Sequence, residues 1–173
     1  MLLRTSIGPL GLALGAVAIL YGCKKDKDEP NGGTLDRPLF LHVDSACAQL
    51  PNVFTPNGDG INDILVALGN NTDQVHVEVR TFSGDLIWQG SGAWPGWDGR
   101  KDGVLLPNRS YRVTLNATSL SGNALNGSTN VFLAGDPAHT CFSSDQAPIT
   151  GDMFDPRQCA PIYFTNDRFC TNP

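Results

Sequence analysis

A short polar run in the first half of the chain carries side chains that could bind a hard metal ion. Asn57, Asp59 and Asp63 could present oxygen atoms to one point, together with the main-chain carbonyl of Ile61. Calcium takes about six to eight oxygen ligands, and this spacing is compatible with a calcium site. The spacing is not that of an EF-hand, since Gly60 is the fourth residue from Asn57 rather than the sixth. The structural alternative is the one that we favour: the same three side chains would accept hydrogen bonds from the main-chain N–H groups of a tight loop, without a bound cofactor.

The same run is rich in residues that turn the chain. Pro56–Gly60 reads Pro-Asn-Gly-Asp-Gly, in which glycine tolerates positive φ and Asn and Asp bond to their own backbone. Apolar runs lie on either side, at Val53–Phe54 and Ile64–Leu68. The sequence therefore predicts a tight corner between two short β-strands.

Four of the five cysteines form an even set that in an exported protein indicates two disulfides: Cys47, Cys141, Cys159 and Cys170. Three pairings are open. We expect Cys47–Cys141, which joins the beginning of the domain to its end, and Cys159–Cys170, which closes a small C-terminal loop. The first would close a loop of about 94 residues, which contributes about 4–5 kcal/mol in the chain-entropy description.

The histidines show no catalytic pattern. His42, His76 and His139 lie in different contexts, and the chain has no Gly-x-Ser-x-Gly, His-Glu-x-x-His or phosphate-loop motif. His139 and Cys141 are the only closely spaced His/Cys pair, without the Cys-x-x-Cys spacing typical of zinc sites. We therefore expect disulfides rather than a metal centre, and no enzymatic activity.

The three tryptophans are expected to have different roles. Trp88 ends the apolar run Leu86-Ile87-Trp88, and both Trp88 and Trp97 are expected in the core. Trp94 stands beside Pro95 in a glycine-rich loop. It is the best candidate for an exposed aromatic residue that binds a glycan or a protein.

The first 22 residues predict a signal peptide. Their apolar run from Ile7 to Leu20 has about 14 residues, fewer than the roughly 18–20 that cross a bilayer. The sequence Leu-Tyr-Gly-Cys ending at Cys23 resembles a bacterial lipobox, in which the signal is cut before the cysteine and its thiol is lipidated. Residues 23–37 predict a flexible tether, whose Lys followed by acidic residues resembles the surface-export signal of Bacteroidota lipoproteins.

From these features we expect the protein at the outer membrane, anchored by a lipid on Cys23. We expect it at the cell surface, with the periplasmic face as the alternative. The net charge of −5 argues against a nucleic-acid partner.

The rest of the chain predicts an all-β fold. Val75–Arg80 and Arg109–Leu115 alternate between apolar and polar residues, the period of a half-buried strand. The turn residues at 83–84 predict a hairpin with the strand that ends at Trp88. We expect an immunoglobulin-like β-sandwich of about seven short strands over residues 38–134. Residues 135–173 would be an irregular, disulfide-tied appendage.

Three motifs in this order resemble the gliding-motility-associated C-terminal domain of exported Bacteroidota proteins. They are Pro51-Asn-Val-Phe-Thr-Pro-Asn-Gly-Asp-Gly-Ile-Asn-Asp63, Trp97-Asp98-Gly99 and Leu106-Pro107-x-x-x-Tyr111, and the resemblance covers residues 50–134. It implies an immunoglobulin-like fold and, where the domain ends the chain, sorting by type IX secretion.

Here a lipobox precedes the domain and residues 135–173 follow it. We therefore expect the fold to be retained without the sorting role. The protein would be a non-catalytic interaction or accessory subunit of an outer-membrane complex for export, insertion or uptake. The alternatives are an adhesin or glycan-binding protein and a type IX sorting module.

Overall fold

The computed structural model of the protein describes residues 35–136, 140–143, 154–155, 159–161 and 170–172. The predicted signal peptide, Cys23 and His139 lie outside these residues. Within the described ranges every regular element is a β-strand, which confirms the predicted all-β class. The same ranges contain no helix with the length and apolar character needed to cross a membrane.

The larger sheet is built from five strands: β3 (Val53–Phe54), β6 (Thr72–Arg80), β7 (Leu86–Gly92), β11 (Arg109–Ser119) and β12 (Ala124–Leu133). Their order across the sheet is β3-β12-β11-β6-β7. Neighbours are antiparallel except β3 and β12, which are parallel. Strands β6 and β7 form the predicted hairpin, in whose turn the Gly84 N–H donates to the Thr81 carbonyl at 3.0 Å.

The second layer consists of shorter strands: β1 (Leu39–Val43), β2 (Ala46–Leu50), β4 (Leu65–Val66), β5 (Leu68–Asn70) and β8 (Gly96–Trp97). A three-stranded sheet has the order β1-β2-β5, and β4 pairs separately with β8. Strand β2 was not predicted. All five of its residues are buried, so it lacks the apolar–polar alternation by which a half-exposed strand is recognised in sequence.

Three further strand pairs complete the described structure. They are β9 (Arg100–Lys101) with β10 (Val104–Leu105), β13 (Cys141–Ser143) with β16 (Cys170–Asn172), and β14 (Phe154–Asp155) with β15 (Ala160–Pro161). Strands β13 and β16 are parallel, whereas the other two pairs are antiparallel.

The core lies between the two layers and follows the alternation in the sequence. Val77 and Val79 of β6 pair in register with Leu115 and Val113 of β11, and all four are buried. The alanines of β2 and Leu50 face them within the same apolar cluster. Intervening residues of β6 and β11 lie on the outer, polar face, as period-two alternation requires. The described domain is therefore the predicted β-sandwich.

The observed disulfide joins Cys47 to Cys159, so the predicted pairings Cys47–Cys141 and Cys159–Cys170 are wrong. Cys47 of β2 lies opposite Asn70 of β5, and the Asn70 amide nitrogen is 3.7 Å from the Cys159 sulfur. The later part of the chain thus returns to this sheet at Cys159. Spacing along the sequence does not indicate which cysteine of the tail makes that return.

Candidate functional site

The loop from Thr55 to Asp63, here called the corner loop, is closed at its base by hydrogen bonds of Thr55. Its N–H donates to the Asn62 carbonyl at 2.9 Å, and its hydroxyl donates to the Ile61 carbonyl at 3.3 Å. Thr55 is fully buried, whereas the residues beyond it, up to Ile61, are mostly exposed. The loop is therefore a protrusion fixed to the sandwich at its base.

The polar side chains of the corner loop bind its own main chain. The Asp63 carboxylate accepts hydrogen bonds from the N–H groups of Gly58 at 2.6 Å and Gly60 at 2.8 Å. Asn57 Oδ1 accepts the Asp59 N–H at 3.0 Å, and Asp59 Oδ1 accepts the Ile61 N–H at 2.8 Å. Gly58 and Gly60 have φ of 83° and 84°, which only glycine adopts without strain. This is the structural alternative: the side chains cap backbone donors.

The geometry gives no separate support to the predicted calcium site. The Ile61 carbonyl is directed at the Thr55 hydroxyl, and both Asp63 oxygens already face N–H groups. Among the residues that the structure describes, no group of three or more His, Cys, Asp or Glu side chains could hold a metal ion. Calcium binding at Asn57, Asp59, Ile61 and Asp63 stays an untested prediction.

We predict that Asp63→Asn lowers the free energy of unfolding by about 1–2 kcal/mol, because two main-chain donors lose a charged acceptor. Asp98→Asn is the matched control, since its carboxylate accepts one such bond, from the Arg100 N–H at 3.0 Å. Asp98→Asn should lower the free energy of unfolding by a smaller amount. Thermal unfolding with EDTA and with added CaCl₂ is the measurement. A calcium-dependent rise in Tm of the wild type that Asp63→Asn abolishes would instead support the metal site.

An aromatic cluster lies beneath the corner loop. The Trp97 ring is 5.4 Å from the ring of Phe54 and 5.4 Å from that of Tyr111, centroid to centroid. The Trp97 indole N–H donates to the Arg100 carbonyl at 2.9 Å. The Tyr111 hydroxyl donates to the Pro107 carbonyl at 3.0 Å, the tyrosine-corner arrangement of immunoglobulin-like sandwiches. This bond explains why the motif spaces Pro and Tyr four residues apart.

The three sequence motifs meet at this place. Gly99 has φ of 78°, and a Cβ atom on it would lie 2.9 Å from Leu133 Cδ1 and 3.1 Å from Pro56 Cγ. Only glycine fits, so the Trp-Asp-Gly turn packs closely against the Pro56 end of the corner loop. We call the part of the sandwich formed by Pro56, Trp97, Gly99 and Tyr111 the motif end.

Exposed apolar side chains flank the short strands β4 and β8, and Ile64 directly follows the corner loop. Ile64 is 52% exposed and Trp94 is 66% exposed. A Cβ on Gly96 would lie 2.8 Å from Ile64 Cγ2, so Ile64 lies over the bare backbone of β8. The exposure of Trp94 is as predicted. Trp97 is buried and Trp88 is half-buried against the core, also as predicted.

A polar group on the outer face of the larger sheet was not foreseen as a unit. His76 Nδ1 is 2.7 Å from the Ser91 hydroxyl, its Nε2 is 3.6 Å from Glu78 Oε1, and Arg80 donates to Glu78 at 2.9 Å. His76 faces solvent, as predicted. Cross-strand register joins His76 to Ser91, and this pairing is visible only once the hairpin is formed.

The pKa of Glu78 is lowered from 4.5, first by its hydrogen bond from Arg80. Any stability from its ionised form is therefore present above pH 4.5 and is lost as the pH falls through the lowered pKa. Because Glu78 is only partly buried and its carboxylate is paired with Arg80, we interpret the group as a surface ion pair.

The fold and the motif end define an immunoglobulin-like β-sandwich with a rigid polar corner at one end. Residues 48–131 match the model of the CHU_C Type IX secretion signal domain family. The family resemblance of the three motifs is thereby confirmed. No curated protein matches the chain.

Proposed function

We propose that residues 48–131 are the recognition domain by which a type IX secretion system handles this protein, which acts without catalysis at the cell envelope or surface. The family match is the observation that carries this proposal. It favours the sorting alternative over the accessory-subunit role expected from the sequence.

The geometry of the motif end suits recognition by a partner. The corner loop is held by four hydrogen bonds from main-chain N–H groups to its own side chains. A loop fixed in this way loses little conformational entropy on binding. Ile64, which directly follows the corner loop and is exposed, adds apolar surface.

The test is surface display of the full chain in a bacterium with a type IX secretion system and in an isogenic strain that lacks the translocon. Protease accessibility on intact cells is the readout. We expect the protein to be accessible in the first strain and protected in the second. Equal accessibility in both strains would contradict the proposal.

A pair of variants tests whether the motif end is the surface that the secretion system recognises. The test variant is Ile64→Ser, because Ile64 directly follows the corner loop. Its matched control is Leu120→Ser, because Leu120 lies at the other end of β11 and is 72% exposed. Neither substitution removes a buried side chain. We expect Ile64→Ser alone to reduce surface display. Equal display of both variants would place the recognised surface elsewhere.

A second candidate rests on the lipobox-like sequence that ends at Cys23. We propose that the Cys23 thiol is lipidated and that the protein is held at the outer membrane as a non-catalytic subunit of an export, insertion or uptake complex. Labelled palmitate should enter the wild type but not Cys23→Ala. Crosslinking followed by purification should recover partner proteins, and recovery of the protein alone would exclude the subunit role.

The exposed ring of Trp94 supports the third candidate, a glycan-binding or adhesive surface. Aromatic faces stack on apolar ligand surfaces, and a buried ring would be unable to do so. Binding of the purified protein to cells or glycans should be lost in Trp94→Ala. Unchanged binding in that variant would dismiss this role.

A further inference from the structure

We propose that Cys141 and Cys170 form a second disulfide. The two residues lie directly opposite each other in the parallel pair of β13 and β16. Neighbouring strands are about 4.7–4.9 Å apart, and disulfides join residues whose Cα atoms are about 4.4–6.8 Å apart. The backbone register therefore places the two cysteines within bonding range.

The observed disulfide leaves these two cysteines as partners. Cys47 and Cys159 are bonded to each other, and the remaining cysteine, Cys23, belongs to the lipobox-like sequence. Of the four remaining cysteines in chain order, the first would be bonded to the third and the second to the fourth, so the two disulfide loops would interleave. This connectivity is one of the two that the sequence did not favour.

Formation of the bond requires an oxidant, and a disulfide-bonded molecule can serve. The two thiols lose two protons and two electrons to a disulfide-bonded partner, such as an oxidoreductase or oxidised glutathione, which leaves as two thiols. Compartments outside the cytoplasm supply such partners.

Interleaving has a consequence for the tail of the protein. A single backbone cut between Cys141 and Cys159 would leave the two pieces joined by both bonds. A cut between Cys159 and Cys170 would still leave the end of the chain attached through Cys141. The tail would thus stay covalently held to the sandwich after a single cleavage until the bonds are reduced.

Tryptic mapping tests the connectivity directly, because each cysteine falls on its own peptide. Cleavage after Lys and Arg, except before proline, puts the four on residues 28–80, 113–157, 158–168 and 169–173. The sample is the full exported chain carrying Cys23→Ala, alkylated before digestion at mildly acidic pH. We expect 113–157 linked to 169–173 and 28–80 linked to 158–168. Alkylated Cys141 and Cys170, or any other pairing of the four peptides, would overturn the proposal.

A variant gives an independent readout by thiol counting. Cys141→Ser should raise the number of free thiols from zero to one per chain, and the label should appear on peptide 169–173. Cys47→Ala is the control, for which the label should appear on 158–168. A label on 158–168 in Cys141→Ser would refute the pairing. Neither readout depends on the route of export, so the result is separate from that of the proposed function.

Discussion

Trp97→Ala is expected to lower the free energy of unfolding by about 3–5 kcal/mol, the range for truncating a buried aromatic side chain. Trp94→Ala is expected to change it by no more than about 0.5 kcal/mol. The two residues are three positions apart, but Trp97 is 1% exposed and Trp94 is 66% exposed. Denaturant unfolding of both variants beside the wild type is the measurement.

The large effect has two physical sources. The Trp97 ring packs between Phe54 and Tyr111, so alanine would leave a cavity that the surrounding strands cannot fill. Its indole N–H also binds the Arg100 carbonyl, which would lose this partner. If Trp97→Ala and Trp94→Ala had similar effects, the proposed packing of the motif end would be incorrect.

Loss of the Cys47–Cys159 disulfide should give the second large effect. The bond spans 112 residues, and a cross-link over a loop of that size contributes about 4–5 kcal/mol in the chain-entropy description. The double variant Cys47→Ala/Cys159→Ala tests it, because alanine avoids burying a new hydroxyl at position 47. We expect the unfolding midpoint of this variant to lie well below that of the wild type without reductant.

Asn70→Ala is the control for the disulfide. Its amide nitrogen lies 3.7 Å from the Cys159 sulfur, so the substitution removes a contact at the same place but keeps the covalent bond. It should have a much smaller effect than the double cysteine variant. Equal effects would mean that local packing, rather than the cross-link, stabilises this side of the sandwich.

Local features of the sequence were sufficient for much of the fold. The alternation in 75–80 and 109–115 assigned the core-facing residues correctly, because side chains of a strand point to opposite faces in turn. The glycine-rich turn at 56–60 was recognised because positive φ and side-chain capping are properties of a few neighbouring residues. The motifs that contain Trp97 and Tyr111 were recognised as family-like from their spacing alone. The structure explains this spacing, because the Trp97 indole donates to the Arg100 carbonyl and the Tyr111 hydroxyl donates to the Pro107 carbonyl.

Contacts between distant residues were decided by the tertiary structure. Strand β2 is buried on both faces, so its sequence shows no alternation and gave no strand signal. The partner of Cys47 depended on which part of the tail reaches β5, and that path is set by packing rather than by spacing. Likewise, only the folded loop shows that Asp63 binds Gly58 and Gly60. The sequence by itself determined the alternating strands, the turns and the family resemblance, which depend on near neighbours. Strand β2, the disulfide and the role of the corner carboxylates depended on residues brought together by folding.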